Sequence, residues 1–141
     1  MSCQVRWLVF LRLNSARKVN RLLDRFAEAV GQKVVVRECE RYWKDPTLFR
    51  AVVTCQLPAK DLSSAIVAVL QMCWRLGRSW TLGTPQLYEG ARWEFFGSAV
   101  SPSIGIMGLK EIQFQAGNWE HSLTVIVPQA VVQNEADTTV P

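Results

Sequence analysis

Few side chains in this sequence have the type and spacing that catalysis needs. Its single histidine, His121, sits between Glu120 and Ser122. A Ser-His-Glu set contiguous in sequence is not a triad, because neighbouring side chains point apart, and His121 reads as a surface residue at a strand start. Glu38 and Glu40 share one strand face, the arrangement of a carboxylate pair for metal or acid–base work. No third ligand or basic partner is placed beside them, and their alternation with Arg37 and Arg41 is that of a solvated strand. Cys3, Cys39, Cys55 and Cys73 are spread singly, with no CxxC pair and no histidine at ligand spacing, so a zinc site has no basis. Each falls in an apolar stretch, where a reduced thiol behaves as a small buried hydrophobe. GxGxxG, Walker and HExxH motifs are absent. The run SPSIGIMG (101–108) has two glycines with no helix after them and reads as a flexible connection rather than a phosphate cradle. The expectation is a chain with no catalytic residues, no metal and no cofactor.

The residues that remain suit recognition. Arg17, Arg21 and Arg25 recur at helical spacing opposite an apolar stripe, while Arg6, Arg12 and Arg50 are expected on an open sheet face near Phe10. Basic and aromatic residues on such a sheet invite comparison with RNA-recognition modules. The strand LFRAVVTCQL (48–57), however, lacks the glycine and the paired exposed aromatics that stack bases. Nucleic-acid binding through Arg17, Arg21 and Arg25 therefore stands as an alternative. Six tryptophans are many for 141 residues. Trp80 and Trp93, inside short strands, read as core. Trp43 follows Arg41-Tyr42 and precedes the turn Lys44-Asp45-Pro46, the position of an exposed anchor. Tryptophan and arginine dominate protein interfaces, which makes Arg37, Arg41, Trp43, Asp45 and Arg92 the candidate partner-binding set.

These residues must be positioned by regular elements. Residues 3–13 alternate, with Val5, Trp7, Val9, Leu11 and Leu13 on one face. Asn14-Ser15 can cap a helix carrying Val19, Leu22, Leu23, Phe26, Ala27 and Val30 on one stripe, stopped by Gly31. Residues 33–43 read as a second strand, Lys44 to Thr47 as a turn, and Leu48–Leu57 as a third strand with Arg50, Thr54 and Gln56 outward. Asp61 caps a second helix with the stripe Leu62, Ala65, Ile66, Val69, Leu70, Cys73 and Leu76, closed by Gly77. At an offset of forty-six residues Ser15 falls on Asp61, Val19 on Ala65 and Gly31 on Gly77. Two equal strand–helix–strand units predict an α+β fold, a ferredoxin-like βαββαβ two-layer sandwich with both helices on one sheet face. Further antiparallel strands are expected at residues 79–82, 92–96 and 109–115, with a loop at 97–108. A last edge strand is expected at 121–132, demoted by Pro128.

A 49% hydrophobic composition supports one core without disulfides or metal, giving a single domain over residues 1–132 and a flexible tail at 133–141. No apolar run approaches the ~18 residues of a membrane span, and the N-terminus lacks a signal-peptide pattern; a cytoplasmic protein is expected. The net charge of +4 is uneven, since residues 1–50 hold eleven Lys/Arg against five Asp/Glu. That asymmetry suits an acidic partner.

From Ser79-Trp80-Thr81-Leu82-Gly83 through Arg92-Trp93-Glu94-Phe95 to Gly108-Leu109 and Ile112-Gln113-Phe114, the chain resembles the C-terminal half of small bacterial immunity proteins. These are encoded beside the polymorphic toxins of contact-dependent or type VI secretion systems. The resemblance covers residues 79–114 and brings no catalytic residues. It implies a cytosolic, non-enzymatic protein that binds a cognate toxin and blocks its active site or substrate entry. Many immunity proteins against nucleases are acidic, whereas this chain is basic, which argues against a nuclease target. A third reading is a dimeric small-molecule-binding or enzymatic ferredoxin-like domain, a homodimer joined through Leu8, Phe10 and Val52.

Overall fold

A computed structural model of the chain describes residues 3–13 and 15–118. In chain order the elements are β1 (Cys3–Arg12), α1 (Ala16–Val30), β2 (Val34–Arg41), β3 (Leu48–Leu57), α2 (Leu62–Leu76), β4 (Thr81–Leu82), β5 (Gln86–Tyr88), a 3-10 turn (Glu89–Ala91), β6 (Arg92–Val100) and β7 (Leu109–Gly117). The strand expected at 121–132, His121 and the tail lie outside the described residues.

The strands form one antiparallel sheet in the order β2-β3-β1-β7-β6-β4, with β5 also paired to β6. Its period-2 alternation builds the core. Val5, Trp7, Val9 and Leu11 of β1 lie opposite Cys55, Val53, Ala51 and Phe49 of β3. On the other side they meet Ala116, Phe114, Ile112 and Leu109 of β7. All join one apolar cluster with Leu22, Phe26 and Val30 of α1 and with Val69, Met72 and Leu76 of α2. Both helices therefore cover the same sheet face, and the architecture is a two-layer α+β sandwich. Gly97 admits this packing where β6 passes β7, since a Cβ there would collide with the Phe114 ring and stand 2.7 Å from Leu82.

The strand order corrects the expectation of a plain βαββαβ chain. β4 does not close the second unit; it lies at the sheet edge, with Thr81 against Ser98. Gly83-Thr84-Pro85 ends it after two residues. The place beside β1 goes to the nine-residue β7, which has the alternating apolar residues to fill it. β6 runs on to Val100, so residues 97–100, expected as loop, are strand.

Helix ends follow local chemistry. Gly31 adopts φ +76° and donates its N–H to Ala27 O at 3.0 Å, a left-handed stop that glycine takes without Cβ strain. Ser15 occupies the N-cap of α1 but makes no side-chain cap bond. Asp61 forms a full capping box: its Oδ1 accepts the Ser64 N–H at 2.9 Å, and Ser64 Oγ accepts the Asp61 N–H at 3.3 Å. The Ser64 backbone bond, then its hydroxyl, holds the Asp61 carboxyl below its ordinary pKa. A depressed folded-state pKa gives stability that is present above the unfolded value and lost as pH falls through the folded one. Asp61→Asn is accordingly expected to flatten the acid limb of a stability–pH curve below the ordinary carboxylate range. An unchanged limb in urea titrations would remove the cap from the account. On α2 the stripe is rotated from its expected position, because Leu70 is 39% exposed while Met72 takes a core place.

The second sheet face differs most from expectation. Arg6, Phe10 and Arg50, expected in the open, are buried, as are Leu8 and Val52. Leu8, Phe10, Leu48 and Val52 form a second cluster against Tyr42. Long side chains from β2 help to cover this face: Arg50 Nη1 pairs with Glu38 Oε1 at 3.0 Å, and Arg37 Nε donates to Thr54 Oγ1 at 3.0 Å. The surface expected to join two copies through Leu8, Phe10 and Val52 is thus already buried within one chain. Glu38, half exposed, faces the nearly buried Arg50. Glu38→Gln is expected to cost about 1 kcal/mol, the upper end for an ion pair that meets solvent, because only Glu38 of the two is exposed. Urea denaturation checks this, and an unaltered midpoint would contradict it.

Candidate functional site

The connection between β2 and β3 is a tip whose flanking side chains are held in place. Asp45 N–H donates to Tyr42 O at 3.3 Å, Leu48 N–H to Asp45 O at 2.9 Å and Tyr42 N–H to Leu48 O at 2.8 Å. Asp45 Oδ1 accepts the Thr47 N–H at 3.0 Å and its hydroxyl at 2.6 Å, as a turn-forming aspartate does. The Thr47 hydroxyl first, and its N–H second, hold the Asp45 carboxyl below its ordinary pKa, with Arg12 and Lys110 adding to the effect. Arg41 stacks over the Phe49 ring at 4.4 Å and donates to Pro46 O at 2.8 Å. Tyr42 meets Phe10 edge-on at 5.0 Å. Between these anchored neighbours Trp43 stands 56% exposed, with Lys44 Nζ 5.4 Å from its ring. An open depression of about 460 Å³ lies alongside, lined by Arg12, Leu13, Arg41, Pro46 and Thr47. Arg12 donates to Thr47 Oγ1 at 2.9 Å. Arg12, Arg41 and Lys44 outnumber the one carboxylate, Asp45, so the tip is cationic.

The sheet thus brings Arg41, Trp43 and Asp45 together and adds Arg12 of β1 through its bond to Thr47. Asp45 holds the turn rather than presenting a free carboxylate. Arg37 lies on the same edge strand, about 13 Å from Arg41 at ~3.3 Å per residue, with its Nε committed to Thr54. Arg92 does not belong with the group: it opens β6, four strand spacings or about 19 Å from β2. β2 is an edge strand, and its register shift between Val36 and Glu38 together with its charged residues is the usual protection of such an edge.

Arg17, Arg21 and Arg25 are exposed on α1, but exposed Asp24 and Glu28 interleave with them. Burial of Phe10, Arg6 and Arg50 removes the basic and aromatic platform expected beside them. A second apolar patch escaped the sequence reading: Val67, Leu70 and Trp74 line the outer side of α2, and Trp74 is 80% exposed. Their i, i+3, i+7 spacing was the available signal.

Three of the four thiols are shielded by burial. Cys3, Cys55 and Cys73 are buried, and burial pushes Cys73 up to about 12. Cys39 departs from the expectation of four buried thiols because it lies on the exposed edge strand. Its pKa is also raised, by partial burial and then by Glu40. Since the thiolate is the nucleophile, a maleimide is expected to label only Cys39 in the folded protein and all four cysteines in urea. Rapid labelling of a second native site, read by mass spectrometry, would contradict this burial pattern.

Among the described residues, no group of three or more His, Cys, Asp or Glu is placed to hold a metal, and no helix is long and apolar enough to cross a membrane. No protein-family model, no curated protein and no solved structure matches the chain.

Proposed function

We propose that this chain is a non-enzymatic protein-binding module of the immunity-protein kind, which docks a cognate bacterial toxin or effector domain in the cytoplasm. It engages that partner through the β2–β3 tip and blocks its active site or substrate entry. The observation that carries this reading is Trp43, half exposed directly after Arg41 and Tyr42, which are already fixed by Phe49, Pro46 and Phe10. An aromatic anchor in a preformed setting loses little side-chain freedom on binding, so more of its contact energy appears as affinity. The cationic tip favours an acidic partner surface, with association that slows as salt rises. The order β2-β3-β1-β7, with both helices on one face, supports a ferredoxin-like core in which β7 serves as the fourth strand and β4 to β6 are inserted before it. The reading is tested by calorimetry of the full chain against the product of the neighbouring gene. A complex tighter than micromolar supports it, and its absence counts against it.

A further inference from the structure

Helix α2 is charged only at its end. From Leu62 to Trp74 it holds no Asp, Glu, Lys or Arg, whereas α1 exposes Arg17, Lys18, Arg21, Asp24, Arg25 and Glu28. The single charged residue of α2, Arg75, is tied to the end of α1, its Nη1 donating to Val30 O at 3.1 Å. The solvent side of α2 is therefore neutral along most of its length, and three of its side chains are apolar: Val67 is 55% exposed, Leu70 39% and Trp74 80%. With Gln71 they recur at i, i+3, i+4 and i+7, one stripe about 10 Å long at ~1.5 Å per residue. An open depression of about 400 Å³ lies along it. A contiguous apolar stripe left in solvent marks a contact site.

The stripe is its own complement. When two copies of α2 pack antiparallel about a twofold axis between Leu70 and Gln71, the bulky Trp74 of each meets the short Val67 of the other. Leu70 and Gln71 then meet at the axis. A carboxamide carries both donor and acceptor, so two Gln71 side chains satisfy one another there. Reciprocal contacts of this form are those of an isologous dimer, and antiparallel helices also oppose their dipoles. Charge selects the same face. The chain carries a net +4, so two copies repel through the basic residues of α1 and the cationic β2–β3 tip, while the α2 stripe brings no like charges together. An acidic partner, in turn, finds no cation in this stripe to meet.

We propose that α2 packs against α2 of a second copy of this chain, forming a twofold dimer through Val67, Leu70, Gln71 and Trp74. Four side chains per copy bury less than the ~1,200 Å² at which stable interfaces begin, so the dimer is weak and half-formed at a chain concentration on the order of 100 µM. The interface does not depend on the protein-binding reading, and its test contains no other protein. The test is sedimentation equilibrium of the full chain over a wide concentration range around that value, in reducing buffer so that exposed Cys39 cannot cross-link copies. A reversible monomer–dimer equilibrium is expected. Trp74→Ala, at a mostly exposed position, is expected to weaken it about tenfold or more. Gln71→Glu and Gln71→Lys each set like charges against one another at the axis and are expected to weaken it as much, while an equimolar mixture of the two restores the dimer. Trp43→Ala is expected to leave it unchanged. A monomer at every concentration, a dimer that Trp74→Ala or the charged variants leave intact, no recovery in the mixture, or loss of the dimer in Trp43→Ala would each overturn the proposal.

Discussion

Trp7→Ala is expected to remove about 3–5 kcal/mol of unfolding free energy, a large share of the ~5–15 kcal/mol that holds a domain of this size together. Trp7 is fully buried at the middle of the central strand β1. It meets Phe26 of α1 edge-on at 5.3 Å and Phe114 of β7 at 5.6 Å, so one side chain joins the helical layer to both halves of the sheet. Truncation leaves a hole bounded by strands and a helix that cannot close without moving. The indole N–H has no oxygen or nitrogen acceptor among the described residues. Trp7→Phe, which keeps a ring and deletes that donor, is therefore expected to cost less than about 1.5 kcal/mol. Urea denaturation followed by circular dichroism separates the two variants. A loss as small for alanine as for phenylalanine would mean that the layers do not depend on this contact.

The second large effect is on binding. Trp43→Ala is expected to weaken the complex with the cognate partner about 30-fold, the loss of a ~2 kcal/mol anchor. The folded chain should hardly notice, since surface truncations stay within about ±0.5 kcal/mol. The reason lies in what Trp43 touches. Its neighbours are secured by other groups, Tyr42 by Phe10 and Arg41 by Phe49 and Pro46. Arg41→Ala is expected to weaken binding too, while also loosening the tip that Pro46 O helps to anchor. A fall in stability equal to the fall in affinity for Trp43→Ala would assign this residue to the fold instead of the interface.

Much of the architecture is legible in local chemistry. Both helices have the predicted bounds because their stops and caps are short-range: Gly31 needs only its own positive φ, and Asp61 only the serine three residues on. β3 is readable because its apolar alternation and Pro58 are local signals. The strand order is not readable. Which segment completes the sheet beside β1 depends on a competition between β4, which Gly83-Thr84-Pro85 cuts to two residues, and β7, which is long enough to win. Burial of Arg6 and Arg50 is hidden for a related reason. Period-2 alternation tells which face a residue takes, but not that Glu38 and Arg37 reach across from β2 to meet that face. At the site, Trp43 and Arg41 stand out because residue type and turn position coincide. Arg12 joins them only through a hydrogen bond spanning thirty-five residues, and Arg92 leaves them because β1 and β7 intervene.

Calorimetric titration of wild type, Trp43→Ala and Trp74→Ala into the product of the neighbouring gene tests the central claim most directly. A sub-micromolar complex is predicted, weakened about 30-fold by Trp43→Ala and unaffected by Trp74→Ala on the outer side of α2. No complex tighter than micromolar, or dependence on Trp74 in place of Trp43, would contradict recognition through the β2–β3 tip.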